Sequence, residues 1–202
     1  PKVDMSLSLH LWNQKPLGWI GVAKGPVMAG AEQFTIILTG KGGHGAIPNA
    51  TIDPVIAAAH VITALQTITS RNVGPLQAAV VTVTTVHAGK AFNVIPQEAE
   101  LTGTIRTFDL AVRQMVLERF EQIVRGVAES LRCQVQIILQ RVTPALINND
   151  EITAVVQQTA HNIMPGADHD AAAYLTMGAE DMAFMQEKVP GCYFFIGSNN
   201  KE

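Results

Sequence analysis

Four side chains in the middle of this 202-residue chain are of types that grip or polarise a carbonyl group. His44 lies in Lys-Gly-Gly-His-Gly-Ala-Ile-Pro, residues 41–48. Glycines tolerate backbone angles that other residues avoid, so this loop can fold tightly and turn its backbone N–H groups outward. An imidazole held there donates a hydrogen bond or carries a proton near neutral pH. Asn93, in Ala-Gly-Lys-Ala-Phe-Asn-Val-Ile-Pro, offers an amide to a carbonyl or carboxylate oxygen. Arg106 falls on the polar side of a strand pattern, where a planar guanidinium takes a carboxylate through two parallel bonds. His87 joins them on that polar side. Each has a plain structural alternative: a surface histidine in a strand-to-helix turn, a turn-forming asparagine, an arginine on a solvated sheet.

Metal chemistry is harder to assemble. His10, near a strand end with two serines on its own face, is a plausible ligand, but a zinc-type site takes about three or four protein ligands. The chain has no His-Glu-x-x-His and no Cys-x-x-Cys. Asp168-His169-Asp170 could bind a cation, yet a hydrophilic loop explains it more simply. His60 reads as a packed or helix-surface residue, and His161 as a partner for a helix C-terminus. Neither a Gly-x-Ser-x-Gly nucleophile motif nor a phosphate-binding Gly-x-x-x-x-Gly-Lys occurs.

Composition narrows the classes further. With 48% hydrophobic and 15% charged residues there is ample apolar material for a core, and aromatics at 5% leave it to Val, Ile, Leu and Ala. A net charge of −3 gives no electrostatic reason to expect nucleic acid or an anionic membrane as a partner. No apolar run approaches the ~20 residues that cross a bilayer. The N-terminus, with Asp4 and repeated serines, is unlike a signal peptide. Cys133 and Cys192 read as reduced, partly buried thiols of a cytoplasmic protein. Pro1 is not a natural initiator, and the chain stops just after a Gly-Ser-Asn-Asn turn, so a piece of a longer protein is expected.

These side chains must be positioned by regular elements. Met5 to Trp12 alternates as a strand that turns Leu7, Leu9 and Leu11 one way and His10 the other. Residues 14–30 read as a turn-rich connection around a short strand from Trp19. Phe34, Ile36 and Leu38 mark the next strand. Asp53 is the N-cap and Pro54 the first residue of a helix with Val55, Ala58, Ile62 and Leu65 inward, widened by Ala59, Val61 and Ile68. Strands follow at 78–86 and 99–107, joined by a loop. Asp109 caps a long helix with Val112, Val116, Phe120, Ile123, Val127 and Leu131 inward, and 134–140 is the closing strand. That order predicts a ferredoxin-like βαββαβ unit, a four-stranded antiparallel sheet with two helices on one face. Beyond Thr143-Pro144 a helix from Asp150, a polar connection, a short helix after Glu180-Asp181 and an apolar strand at 192–196 suggest a return to an α/β unit.

Five motifs in sequence order carry a resemblance that spacing alone does not supply. They are Leu-His-Leu-Trp-Asn-Gln-Lys-Pro-Leu-Gly, Gly-Gly-His-Gly-Ala-x-Pro with Asp53-Pro54, Phe-Asn-Val-Ile-Pro, Gly-Thr-Ile-Arg-Thr-Phe-Asp and Gly-Ala-Glu-Asp-Met. Together they resemble the aminoacylase/carboxypeptidase family of two-metal amidohydrolases, in the branch of hippurate hydrolase, N-acyl-amino-acid deacetylases and auxin-conjugate hydrolases. The resemblance implies an α+β lid at 27–142, flanked at 1–26 and 143–202 by parts of an α/β metallopeptidase-type catalytic domain. It implies a homodimer through the lid and two divalent ions (Zn, Mn, Co or Ni) in the whole enzyme. His10 matches a metal ligand. His44 matches a lid histidine that reaches the scissile carbonyl, commonly in the partner subunit's site. Asn93 and Arg106 match residues that grip the substrate's carbonyl and carboxylate. Glu180 and Asp181 match a motif near the cleft. The early metal motif, the catalytic Glu-Glu pair and the last metal histidine have no counterpart here, so the expectation is a fragment that is inactive alone. The implied reaction of the whole enzyme is amide hydrolysis of N-acyl amino acids by an activated water. The competing expectation is a non-enzymatic ferredoxin-like module for dimerisation or small-ligand binding.

Overall fold

Alternation at the N-terminus becomes a strand longer than its pattern. In the computed structural model, which describes residues 2–172 and 174–200, β1 runs Ser6–Pro16. Two short strands follow, β2 (Trp19–Gly21) and β3 (Gly25–Met28), so the connection expected at 14–30 is mostly strand. The chain divides into two compact units, one made of Pro1–Gly30 with Thr143–Glu202, the other of Ala31–Val142.

The middle unit opens with β4 (Gly30–Thr39), the two-residue β5 (Gly43–His44) and α1 (Pro54–Thr67). It continues through β6 (Ala79–Ala88), a second two-residue strand β7 (Val94–Ile95) and β8 (Glu98–Thr107). It closes with α2 (Leu110–Ser130) and β9 (Gln134–Thr143). The sheet order is β6-β8-β4-β9, that of a ferredoxin-like fold, with β6 and β8 antiparallel. Both helix caps form as the sequence requires. Asp53 accepts from the N–H groups of Val55 and Ile56, and Asp109 from those of Ala111 and Val112, which satisfies donors otherwise left open at a helix start.

One face of this sheet is the core. Phe34, Ile36 and Leu38 of β4 and Leu101 and Ile105 of β8 pack against Ala57, Ala58, Val61 and Leu65 of α1 and Val116, Phe120 and Val124 of α2. The Phe34 ring meets Phe120 at 4.7 Å between centroids and lies over Gly103, where a Cβ would fall 2.3 Å from the ring. Size, not backbone freedom, requires that glycine. Two inward stripes differ from expectation. On α1, Val55 and Ala59 face solvent and Ala57 is buried in their place. On α2 the second half of the stripe runs through Val124 and Ala128, with Ile123, Val127 and Leu131 at its flank. A 3.6-residue turn drifts around a helix this long, so equally apolar neighbours share the boundary. Buried Glu32 on β4 is paired with Arg113 of α2, whose Nε donates at 2.6 Å.

The other unit resumes at β10 (Leu146–Asn148), α3 (Asp150–Ile163), β11 (Asp168–Asp170), α4 (Met182–Gln186) and β12 (Gly191–Asn199). Its sheet runs β1-β12-β2-β11, and β10 pairs with β3. Asp168–Asp170, expected as a loop, is a strand because its backbone pairs in parallel with Trp19–Gly21. Its Asp170 accepts from Trp19 Nε1 and Ala172 N, and among the described residues no three His, Cys, Asp or Glu side chains gather there to hold a cation. The leucines of β1 share the α3 side of the sheet with Cys192, Phe194 and Ile196, yet Leu7, Leu9 and Leu11 are 53%, 46% and 62% exposed. A helix about 10 Å wide covers about two strands spaced near 4.8 Å, and α3 packs on β12 and on the β2–β11 side of it.

Candidate functional site

His44 stands on a ribbon braced from both sides. β5 pairs antiparallel with β7, His44 opposite Val94 and Gly43 opposite Ile95. The N–H of Gly45 then donates to Asn93 O at 2.8 Å, so histidine and asparagine lie side by side at one end of the sheet. Gln97 clamps the loop from below. Its Oε1 accepts from Gly42 N, its Nε2 donates to Gly40 O at 2.7 Å, and its carbonyl accepts from Gly40 N.

The glycines act differently from the sequence expectation. Among the described residues the glycines with positive φ are Gly18, Gly25 and Gly89, none of them in this loop. What the loop needs is close approach. A Cβ at Gly40 would sit 2.2 Å from Ile52 O, at Gly42 2.8 Å from Ile95 O, and at Gly43 2.7 Å from Thr51 Cγ2. The N–H groups expected to face outward are also spent internally, on Gln97, Ile52, Asn93 and His44 itself. The loop is therefore no anion nest, and its free chemistry is the imidazole. Ala46 N, which can only donate, meets His44 Nδ1 at 3.1 Å. The neutral ring must then carry its proton on Nε2, which makes that atom a hydrogen-bond donor.

Arg106 is elsewhere. It lies on the open face of β8 opposite Val80, while the His44–Asn93 ribbon adjoins the Glu98 end. Eight residues at about 3.4 Å each separate Glu98 from Arg106, about 27 Å along the strand. Arg106 Nε donates to Thr104 Oγ1, which in turn donates to Glu32 O, so the guanidinium is oriented and its two terminal amino groups project. His87 pairs across from Glu100 near the other end, beside an open hollow lined by Lys90, Val94, Pro96 and Glu98. The structure thus brings His44, Asn93 and the His87 hollow to one end and leaves Arg106 at the opposite one.

In the other unit His10 lies on the face of β1 turned toward Tyr193 and Phe195, with Trp12 at 5.5 Å between ring centroids. Its Nδ1 is 2.7 Å from Leu11 O, a carbonyl that can only accept, so the proton is on Nδ1 and the Nε2 lone pair is free. That is the arrangement of a metal-ligating histidine whose other nitrogen is tied to backbone. As a single donor His10 fits. Among the described residues no three His, Cys, Asp or Glu side chains converge to complete a centre. Glu180 accepts from Tyr193 Oη at 3.0 Å and from Asp181 N. Burial first, then the Glu180 hydrogen bond and the Glu180 and Asp181 charges, push the Tyr193 hydroxyl well above its ordinary value. It stays a donor. Sequence reading missed Gln97 and Asn148. Asn148 is 3% exposed and satisfies Ala23 O, Tyr193 O and Tyr193 N with one amide. Nothing in the pattern singled out either amide, although Gln97 follows the Asn93 motif directly.

A family model described as the peptidase dimerisation domain of the M20 peptidases matches residues 29–131, just over half the chain. The chain belongs to that family. The N-acetylcysteine deacetylase of Bacillus subtilis (strain 168) is 38% identical over 200 residues, which cover 99% of this chain and 52% of the relative. Thermostable carboxypeptidase 1 of Saccharolobus solfataricus is 35% identical over 202 residues, covering 99% and 50%. Among solved structures, the Bacillus subtilis YXEP protein, a dinuclear metal-binding peptidase of the M20 family, superposes with a TM-score of 0.81 at 32% identity, covering 99% of this chain and 49% of that one. The chain spans about half the length of the curated relatives it matches. The ferredoxin-like unit and the M20 resemblance are both borne out. No helix among the described residues is long and apolar enough to cross a membrane.

Proposed function

We propose that the whole protein to which this M20 chain belongs is a metal-dependent amidohydrolase that cleaves the acyl group from N-acyl amino acids, working in the cytoplasm as a homodimer joined through the middle unit. The observation that carries this reading is the braced ribbon presenting His44 Nε2–H beside Asn93. In the bound state two divalent ions (Zn, Mn, Co or Ni) would lower the pKa of the attacking water and polarise the amide carbonyl. His10 would supply one ligand through Nε2.

The remaining work falls to side chains seen here. His44 Nε2–H donates to the amide oxygen as negative charge develops on it, a contribution of about 10²–10³ in rate for one such donor. Asn93 holds the same end of the substrate through its amide. Arg106 takes the free carboxylate end-on through its two terminal amino groups, since Nε is already engaged. An N-acyl amino acid is about two residues long, at most about 7 Å. It cannot bridge a separation of about 27 Å along one strand. His44 and Arg106 of one copy therefore serve different substrates, and each site draws on two copies.

The test uses the full-length protein with N-acetyl amino acids. Wild type should hydrolyse them and lose that activity to a chelator, with return on adding a divalent ion. His44→Ala should lower kcat by about 10²-fold with KM little changed, and His44→Gln should recover part of it by keeping a donor. Chelator-resistant hydrolysis, or an unaffected His44→Ala, would exclude the reading.

A further inference from the structure

Phe92 is fully exposed, at 103% of its reference surface, whereas Phe34, Phe120 and Phe195 are buried in the two cores. Folding within one copy gives that ring nothing to cover it. Its loop is nonetheless well held. Gly89 makes the turn with φ of +68°, Val94 N donates to Ala91 O, and Asn93 O accepts from Gly45 N. The next residue is Asn93, its Cα about 3.8 Å from that of Phe92, and His44 lies across the ribbon. A large apolar ring presented without support, beside two groups suited to a carbonyl, is what a recognition surface requires. Holding the loop backbone in place beforehand reduces the ordering cost of binding.

We infer that Phe92 is a specificity-determining residue that packs on the apolar acyl group of the substrate whose carbonyl His44 and Asn93 of the same copy contact. The inference rests on the amidohydrolase reading and adds a substrate class to it, N-acyl amino acids with bulky apolar acyl groups. The ring lies next to the asparagine at the carbonyl end, about 27 Å along β8 from Arg106, so its contact is with the acyl side of the amide and not with the carboxylate side.

Full-length wild type, Phe92→Ala and Phe92→Leu would be compared on N-acetyl, N-hexanoyl and N-benzoyl derivatives of one amino acid, with the dimer checked by sedimentation. Phe92→Ala should lose tenfold or more in kcat/KM on the hexanoyl and benzoyl substrates while N-acetyl stays within about twofold, in the range one apolar contact discriminates. Phe92→Leu should keep most of the preference. An equal factor on all three substrates, no change on any, or loss of the dimer as the sole effect would overturn the inference and leave the amidohydrolase reading intact. A wild type without hydrolysis of any N-acyl amino acid would overturn both.

Discussion

His10 and His44 show how a single hydrogen bond sets one residue type in two opposite tautomers. A carbonyl partner fixes the proton of His10 on Nδ1 and frees Nε2 as a lone pair. An N–H partner strips Nδ1 of His44 of its proton and makes Nε2 a donor. Tyr193 gives a pH test at the same scale. Its hydroxyl is held above the ordinary value of 10.0 chiefly by burial, then by Glu180. A group raised in the folded state contributes stability that is whole below its unfolded pKa and is lost as pH rises through that value toward the folded one. Wild-type stability should thus fall relative to Tyr193→Phe from about pH 10 upward, read as denaturant midpoints of the two proteins across alkaline pH. Parallel curves would remove Glu180–Tyr193 as a coupled pair. The candidate residues were readable from sequence as residue types, and His10, His44, Arg106 and Glu180 each make a side-chain hydrogen bond. Protonation was not, because it depends on which backbone atom comes to face the ring.

At the scale of elements, the Gly40–Gly45 loop corrects an intuition about glycine. Its glycines make room for Ile52 O, Ile95 O and Thr51, so a methyl group at Gly42 must push the ribbon off Ile95. Gly42→Ala should cost about 1–3 kcal/mol of stability and lower kcat by displacing His44, with thermal unfolding and turnover measured together. A neutral effect on both would show that the ribbon is not the positioning device. Helix caps at Asp53 and Asp109 and the alternation of β4 and β8 were legible because they depend on near neighbours in sequence. The β5–β7 pairing, the Gln97 clamp and the β11 strand were not, since each depends on a partner tens of residues away. The inward stripes of α1 and α2 were legible only as a band of apolar positions, because Ala57 against Ala59 and Val124 against Ile123 are decided by the sheet they meet.

For the whole molecule, two observations point past a single copy of this chain. The middle unit places His44 and Asn93 beside one end of β8 and Arg106 near the other, and it belongs to a dimerisation-domain family. Both follow if the working site is shared between copies. Complementation in full-length protein tests this most directly, by co-refolding His44→Ala with Arg106→Ala, each nearly inactive alone. If the two groups reach one substrate from different copies, a mixed dimer rebuilds one whole site from the intact Arg106 of the first chain and the intact His44 of the second. Random pairing should then return about a quarter of wild-type activity, since half the dimers carry one good site of two. A mixture no more active than its separate components would contradict the shared site.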